Sequence, residues 1–320
     1  MRESTNIKTQ AMLAVVTRPR ETERLVLQKV PVPNATPDQA LIKVAAFSLN
    51  QGETRTALDT TDRYIPGWDF AGVVEQAAAD GSTPKKGTRV FGYVPRGSWA
   101  EYLVAPAGLM AEIPENVSYA QAAAIPVAGI TAMGCLDASG EIVDRRLLIT
   151  GASGGVGRFA CQLAWLAGAK IFAVSRRPEL FQQLQQDGIK VTEIFANMTD
   201  AKLAGSYDLV WDAVGGESLA TALTMLSPKG ICVNYGNSSR RPTTFDVRAS
   251  GWPFHSIRCI WLGREPICNS TPILNRLITL VEQARLRTPI DTVLPWTSVA
   301  QAAQMLLKQQ INGKVVLEIM

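Results

Sequence analysis

Histidine is almost absent from this chain: of 320 residues only His255 carries an imidazole. Any site built on two histidine ligands is therefore excluded. Cysteine is sparse as well, with five residues at positions 135, 161, 232, 259 and 268 and no CxxC spacing. An odd number without paired spacing argues against a disulfide framework. Three of these cysteines lie in apolar stretches, which suits reduced, buried thiols in a cytosolic protein. Long apolar runs are missing too. The longest, Ala122 to Leu136, is interrupted by Pro126 and two glycines and is too short to span a bilayer. Residues Met1 to Gln10 are polar and carry no secretory pattern, so a cytoplasmic location is expected. Nor is there a basic stripe. The net charge is only +4, and the pairs Arg145-Arg146, Arg176-Arg177 and Arg240-Arg241 are scattered, so neither nucleic acid nor membrane is an expected partner.

What is present is apolar material, 47% of the residues against 19% charged, enough for a sizeable core and too much for a disordered chain. The length leaves room for about two domains. Residues 1–11 read as a flexible extension. From Met12 onward, short apolar runs such as Met12–Val16, Ala40–Ala46, Gly72–Glu75, Arg89–Tyr93 and Ala100–Val104 are cut by turn residues, the pattern of a compact β domain. Further on, strand-like runs (Leu147–Thr150, Lys170–Val174, Tyr207–Asp212, Gly230–Tyr235, Cys259–Leu262) alternate with helical segments, among them Gly155–Leu166, Pro178–Asp187, Glu217–Leu226 and Thr271–Arg287. That alternation predicts an α/β doubly wound parallel sheet with right-handed crossovers. A short run at Ile290–Leu294, a helix over Val299–Lys308 and a last strand at Lys314–Ile319 follow.

The most informative local feature is Leu147-Leu148-Ile149-Thr150-Gly151-Ala152-Ser153-Gly154-Gly155-Val156-Gly157. A strand runs into a glycine turn, and the turn opens a helix, which is the context a dinucleotide-binding loop requires. Ser153, Gly154, Gly155 and Val156 are the expected contacts. There the backbone approaches a pyrophosphate and the helix N-terminus offers free N–H groups. At the end of the next strand an NAD site needs a carboxylate for the ribose hydroxyls. This chain has Ser175, Arg176 and Arg177 instead, a hydroxyl and two guanidinium groups suited to a 2′-phosphate. NADP(H) is the expected cofactor.

With those residues in place, the chain resembles the zinc-independent quinone oxidoreductase (zeta-crystallin-like) branch of the medium-chain dehydrogenase/reductase superfamily. The resemblance runs from Met12 to Met320. It is carried by Pro66-Gly67-Trp68-Asp69-Phe70-Ala71-Gly72-Val73-Val74, Gly97-Ser98-Trp99-Ala100-Glu101-Tyr102, the glycine loop, Tyr207-Asp208-Leu209-Val210-Trp211-Asp212-Ala213-Val214-Gly215-Gly216 and Gly313-Lys314-Val315-Val316-Leu317. It implies a GroES-like substrate domain (12–123 and 289–320) and a Rossmann NADP-binding domain (124–288). The implied activity is NADPH-dependent, zinc-independent reduction of quinones or α,β-unsaturated carbonyls. An enoyl reductase of the fatty-acid or polyketide type and a non-catalytic NADP-binding redox sensor are the alternatives. A homodimer through the Rossmann sheet edge is implied as well.

The chain also departs from relatives. Zinc-dependent members carry a Cys near position 48 and a His-Glu pair where this chain has Ser48 and Trp68-Asp69, and the cysteines of a structural zinc lobe are missing, so no metal is expected. Glu53 and Arg55 stand where quinone reductases often have Asp and Tyr, and Phe195 stands where a cofactor-binding Tyr is frequent. By resemblance Asn50 and Thr131 face the nicotinamide, and Tyr64 is a candidate to polarise a substrate carbonyl. Val214, Tyr235, Gly236 and Asn237, at strand ends where such sheets bind ligands, are expected at the cofactor. Asn312 and Lys314 are expected near its phosphates. Trp252 and Phe254 could form an apolar substrate wall, and His255 reads as structural.

Overall fold

Apolar residues recur at every second position or in unbroken short runs along the strands of this chain, while the longest apolar run, Ala122 to Leu136, is largely helical. The computed structural model describes residues 11–177, 179–246, 255–260 and 269–319. The chain divides into two units, residues 1–127 with 266–320, and residues 128–265.

In the first unit β1 (Ala11–Thr17) pairs antiparallel with β2 (Leu25–Pro31). Then come β3 (Gln39–Ser48), helix α1 (Gln51–Asp59), β4 (Asp69–Gln76), β5 (Arg89–Tyr93), β6 (Tyr102–Pro106), β7 (Met110–Glu112) and helix α2 (Tyr119–Ala123). Helix α3 (Pro126–Ser139) begins at the junction of the two units.

The second unit follows, with β8 (Arg146–Thr150), α4 (Gly155–Leu166), β9 (Lys170–Val174), α5 (Leu180–Gln186), β10 (Glu193–Phe195), α6 (Met198–Leu203), β11 (Tyr207–Asp212), α7 (Gly216–Leu223), β12 (Leu226–Asn234) and β13 (Ser256–Cys259). The chain then returns to the first unit as α8 (Thr271–Glu282), β14 (Ile290–Pro295), α9 (Val299–Leu307) and β15 (Lys314–Glu318).

The first unit's sheet has the order β14-β15-β3-β4-β5-β7, with β6 also on β3. Its last strand is thus among the final residues of the chain, and β15 runs antiparallel to β3. Phe47, Phe70, Phe91 and Trp99 fill the core, with Phe47 stacked on Trp99. The second unit is a six-stranded sheet of order β10-β9-β8-β11-β12-β13, and every pair is parallel. The order reverses between β8 and β11, the topological switch point at which such sheets bind ligands. β8 and β11 are near-continuous buried runs, as strands covered on both faces must be. This is the GroES-like plus Rossmann α/β architecture.

Several expectations shift in detail. Ala11, read as the end of an extension, already pairs with Pro31, while residues 1–10 lie outside the described residues. The expected boundary at 288 moves to 265, because α8 belongs with the first unit. The Ser270 N–H donates to Gly108 O at 2.7 Å, and Thr271 Oγ1 donates to Ala107 O and Met110 O at 2.9 and 2.8 Å. The buried face of α8 is Leu274, Leu277, Ile278 and Val281, spaced as one helical stripe, and the helix ends at Glu282 rather than Arg287. The expected edge strand Cys259–Leu262 is found at Ser256–Cys259. Trp252, Phe254 and the last two residues of that expected strand lie outside the described residues. Cys135, Cys161 and Cys232 are buried, and burial pushes the Cys161 thiol up to about 12. No helix of the described residues is long and apolar enough to cross a membrane.

Candidate active site

Two polar constellations stand out, one in each unit. In the first unit, β3 ends at Ser48 and α1 starts at Gln51, so Asn50 is the N-cap and Glu53 its capping-box partner. The Asn50 N–H donates to Glu53 Oε1 at 2.8 Å. The Asn50 side chain turns to other partners. Its Nδ2 donates to Glu53 Oε1 at 3.1 Å and to Asp69 Oδ2 at 2.8 Å. Asp69, the first residue of β4, is fully buried. Its Oδ2 also accepts Ser48 Oγ at 2.6 Å and Lys314 Nζ at 3.1 Å, and its Oδ1 accepts the Val127 N–H at 2.9 Å. Lys314, 3% exposed at the start of β15, divides its three hydrogens among Leu49 O (3.1 Å), Asn50 Oδ1 (2.5 Å) and Asp69 Oδ2.

Lys314, expected near the cofactor phosphates, has all three donors engaged by acceptors in its own unit and stands as a buried counter-charge to Asp69. The preceding Asn312 is buried beside it in sequence. Glu53 is also buried, and its Oε2 has no partner among the described residues. Burial first, then the Asp69 charge, raises its carboxyl well above the ordinary range, against the opposing pull of Lys314 and Asn50. Burial, with the charges of Glu53 and Asp62, raises the Tyr64 phenol, and Tyr93 is pushed up to about 12 by burial, Asp69 and Glu53. Tyr64 is held in place by its backbone: its N–H donates to Thr17 Oγ1 at 2.9 Å and its carbonyl accepts the Thr17 N–H at 3.0 Å.

These residues do not suit a metal. Trp68 has no ligating atom, and its ring lies edge-on to Tyr93 and over Gly52, where a β-carbon would come within 2.9 Å of it. Asp69 and Ser48, the other two positions, are spent on each other and on Asn50 and Lys314. Sequence reasoning passed over Ser48 and Asp69 as network members. The usable signal was a lone carboxylate opening an otherwise apolar strand, which must be paired if buried.

In the second unit the glycine turn has the geometry a dinucleotide needs. Gly151 has φ 63° and Gly154, in extended conformation, caps α4. A β-carbon on Gly157 would lie 2.3 Å from Gly151 O, so only glycine lets the helix close on the turn. Ser153, Gly154, Gly155 and Val156 are half-buried around the start of α4, whose first N–H groups have no helical partner. At the end of β9, Ser175 is buried, Arg176 exposed and Arg177 half-buried. Ser175 Oγ accepts the Arg177 N–H at 3.1 Å, a turn that fixes where the two arginines leave the strand.

Phe195 ends β10 inside the core, stacked on Phe172, and is not part of the turn. Val214 and Tyr235 are half-buried and Asn237 exposed at the ends of β11 and β12, and Thr131 is buried on α3. Tyr235 Oη donates to Thr150 O at 3.3 Å, and burial, then Cys135, raises its phenol well above the ordinary value. A β-carbon on Gly236 would meet Ala213 O at 2.8 Å, so this glycine also lets the β11 and β12 ends approach each other.

Known proteins share this arrangement. A model of the alcohol dehydrogenase GroES-like domain matches residues 36–115, and one of a zinc-binding dehydrogenase matches residues 189–317. The chloroplastic quinone-oxidoreductase homolog of Spinacia oleracea is 30% identical over 319 residues, 93% of this chain and 94% of that protein. A spectinabilin polyketide synthase system protein of Streptomyces orinoci is 32% identical over 292 residues, which is 88% of this chain but only 13% of that protein. The solved quinone oxidoreductase from Coxiella burnetii shares the fold with a TM-score of 0.84 at 24% identity, covering 97% of this chain and 100% of that one. With a relative alike over nearly the full length of both chains and both domain models matched in order, the chain belongs to the medium-chain dehydrogenase/reductase superfamily, in its quinone oxidoreductase branch.

Proposed function

We propose that the protein is an NADPH-dependent, zinc-independent reductase of quinones or α,β-unsaturated carbonyls. The observation that carries this reading is the pairing, within one unit, of a glycine turn capping α4 with Ser175, Arg176 and Arg177 at the end of the neighbouring strand. When bound, the reduced nicotinamide supplies hydride, two electrons and one proton equivalent, to an electrophilic carbon or oxygen of the substrate. The chain binds and orients. Ser153, Gly154, Gly155 and Val156 receive the pyrophosphate against the free N–H groups of α4. Arg176 and Arg177 hold the 2′-phosphate. Val214, Tyr235, Gly236 and Asn237 line the ends of β11 and β12, and Asn312 lies with the substrate unit.

Asn50 and Thr131 orient the reacting groups. The Asn50 amide is pre-set by Lys314, Asp69 and Glu53, while its Oδ1 retains a lone pair. Tyr64, kept protonated by its raised phenol, donates a hydrogen bond to the substrate oxygen, and water supplies the second proton. The working form is a homodimer joined at β13, in the cytoplasm.

Similarity to a polyketide synthase protein favours one second reading, an enoyl reductase acting on a thioester-bound enone. The deciding experiment follows loss of reduced-nicotinamide absorbance with a simple quinone, a free enone and an enoyl-pantetheine thioester, each with and without a chelator. Turnover of quinone or free enone, unaffected by the chelator, is the expected result. Turnover of the thioester alone moves the protein to the second reading, and turnover of none overturns both.

A further inference from the structure

Asp212, the last residue of β11, is fully buried, and four donors converge on its carboxylate. Oδ1 accepts Thr150 Oγ1 at 2.7 Å and Ser218 Oγ at 3.4 Å. Oδ2 accepts the Gly215 N–H at 2.8 Å and Asn234 Nδ2 at 2.9 Å. The partners come from three elements: Thr150 ends β8, Asn234 ends β12, Gly215 is the N-cap of α7, and Ser218 lies in the first turn of the same helix. The links continue outward. Thr150 Oγ1 accepts the Ala213 N–H at 3.1 Å, and Asn234 Nδ2 reaches Gly236 O at 2.9 Å. The Tyr235 N–H donates to Asp212 O at 2.9 Å. The carboxylate therefore holds the backbone of Gly215 directly and reaches that of Ala213 and Gly236 through Thr150 and Asn234, while Tyr235 is held by the Asp212 main-chain carbonyl. The Thr150 bond crosses the switch point between β8 and β11.

An ordinary strand end has no need of a buried anion. Desolvating a carboxylate is costly, and it persists only where several donors repay the loss. The strand ends it organises are those of the second half of the sheet. In a doubly wound dinucleotide fold each half of the sheet takes one mononucleotide. The adenosine half falls to β8 and β9. There Ser175 is bonded to Arg177 and, through its own N–H, to Phe195 O at 2.9 Å, with no link to Asp212. We propose that Asp212 is a positioning residue for the nicotinamide half of the bound dinucleotide, tying the ends of β11 and β12 to the end of β8, whereas the turn at the end of β9 that would meet the 2′-phosphate is built on Ser175 and Phe195. This rests on the functional reading above.

The split between the two halves supplies the test. Asp212→Asn keeps the shape but turns an amide NH2 toward two groups that are themselves donors. Thr150→Val removes the bond across the switch point, and Thr150→Ser restores the hydroxyl. Binding of NADPH and of adenosine 2′,5′-bisphosphate is titrated calorimetrically against the full-length parent and each variant. Asp212→Asn and Thr150→Val should weaken NADPH about tenfold, equivalent to about 1.4 kcal/mol, with the bisphosphate affinity unchanged and Thr150→Ser close to the parent. If Asp212→Asn does not fold, the Thr150 pair decides. Parallel weakening of both ligands would reduce Asp212 to a fold-stabilising group and overturn the proposal, as would unchanged NADPH affinity. A parent that binds the bisphosphate and NADPH not at all overturns the functional reading itself, which separates the two failures.

Discussion

Glu53, Asp69 and Lys314 put two carboxyl groups and one ammonium into a single buried network, so charge balance requires one carboxyl to hold a proton. Lys314 bonds Asp69 directly, which leaves Glu53 as the protonated partner. The groups that feel it are Asp69, Lys314, Tyr64 and Tyr93. An acid whose folded pKa is raised binds more protons folded than unfolded. Its contribution is fully present below its unfolded pKa and is lost as pH rises through the folded one. The parent should therefore lose thermal stability as pH rises from the ordinary carboxyl range through neutrality, whereas Glu53→Gln, with a permanently neutral group of the same shape, should lose less. Melting curves of both across that range check it, and parallel slopes would show Glu53 to be ionised in the folded protein. Little of this network is legible in the sequence. Lys314 and Asp69 are 245 positions apart, and only the return of β15 against β3 makes them neighbours. Asn50 was singled out by resemblance alone, and neither its place as the cap of α1 nor the direction its amide takes was read from the residues.

Among the elements, the end of β9 would carry the cofactor choice under the proposed function. Ser175 makes a turn with the Arg177 N–H, and positions 175–177 at the end of the strand hold a hydroxyl and two guanidinium groups with no carboxylate among them to repel a phosphate. A charge-assisted contact is worth about 1.5–3 kcal/mol, so NADPH should bind about ten to a hundred times more tightly than NADH. Changing Arg176 and Arg177 together to Ala should remove most of that preference by weakening NADPH. Equal affinities in the parent would show the arginines to be surface charge. The parallel strands were readable because burial on both faces leaves unbroken apolar runs, and β9 and β11 fall on the expected residues. β2 was not, because most of it is only half-buried and its pattern is blurred by Gln28 and Lys29. Helix α1 was hidden for a similar reason: it buries Glu53, Thr54 and Ala57, a stripe too polar to be recognised as a core face. α8 was readable as a helix but not as part of the first unit, since strand–helix alternation says nothing about which sheet a helix covers.

For the whole molecule, the open question of chemistry is how the second unit's sheet ends. β13 pairs with β12 on one side, and all four of its residues are exposed, Ile257 at 44%. Among the described residues nothing pairs with the outer edge of β13, and an edge strand with an uncovered isoleucine invites pairing with another chain unless it is charged, bulged or covered. Arg258 offers one charge, but its guanidinium is drawn back to Ala138 O in the same unit. On the proposed function a second copy related by a two-fold axis would satisfy the edge, because an isologous contact would place β13 against itself antiparallel and close the assembly at two chains. Light scattering at micromolar concentration should therefore give twice the mass of the chain. Ile257→Lys places like charges on both sides of the axis and should shift the protein to monomer, with the melting temperature of the diluted parent retained. A parent that is monomeric at that concentration, or a variant that stays dimeric, would place the contact elsewhere on the molecule.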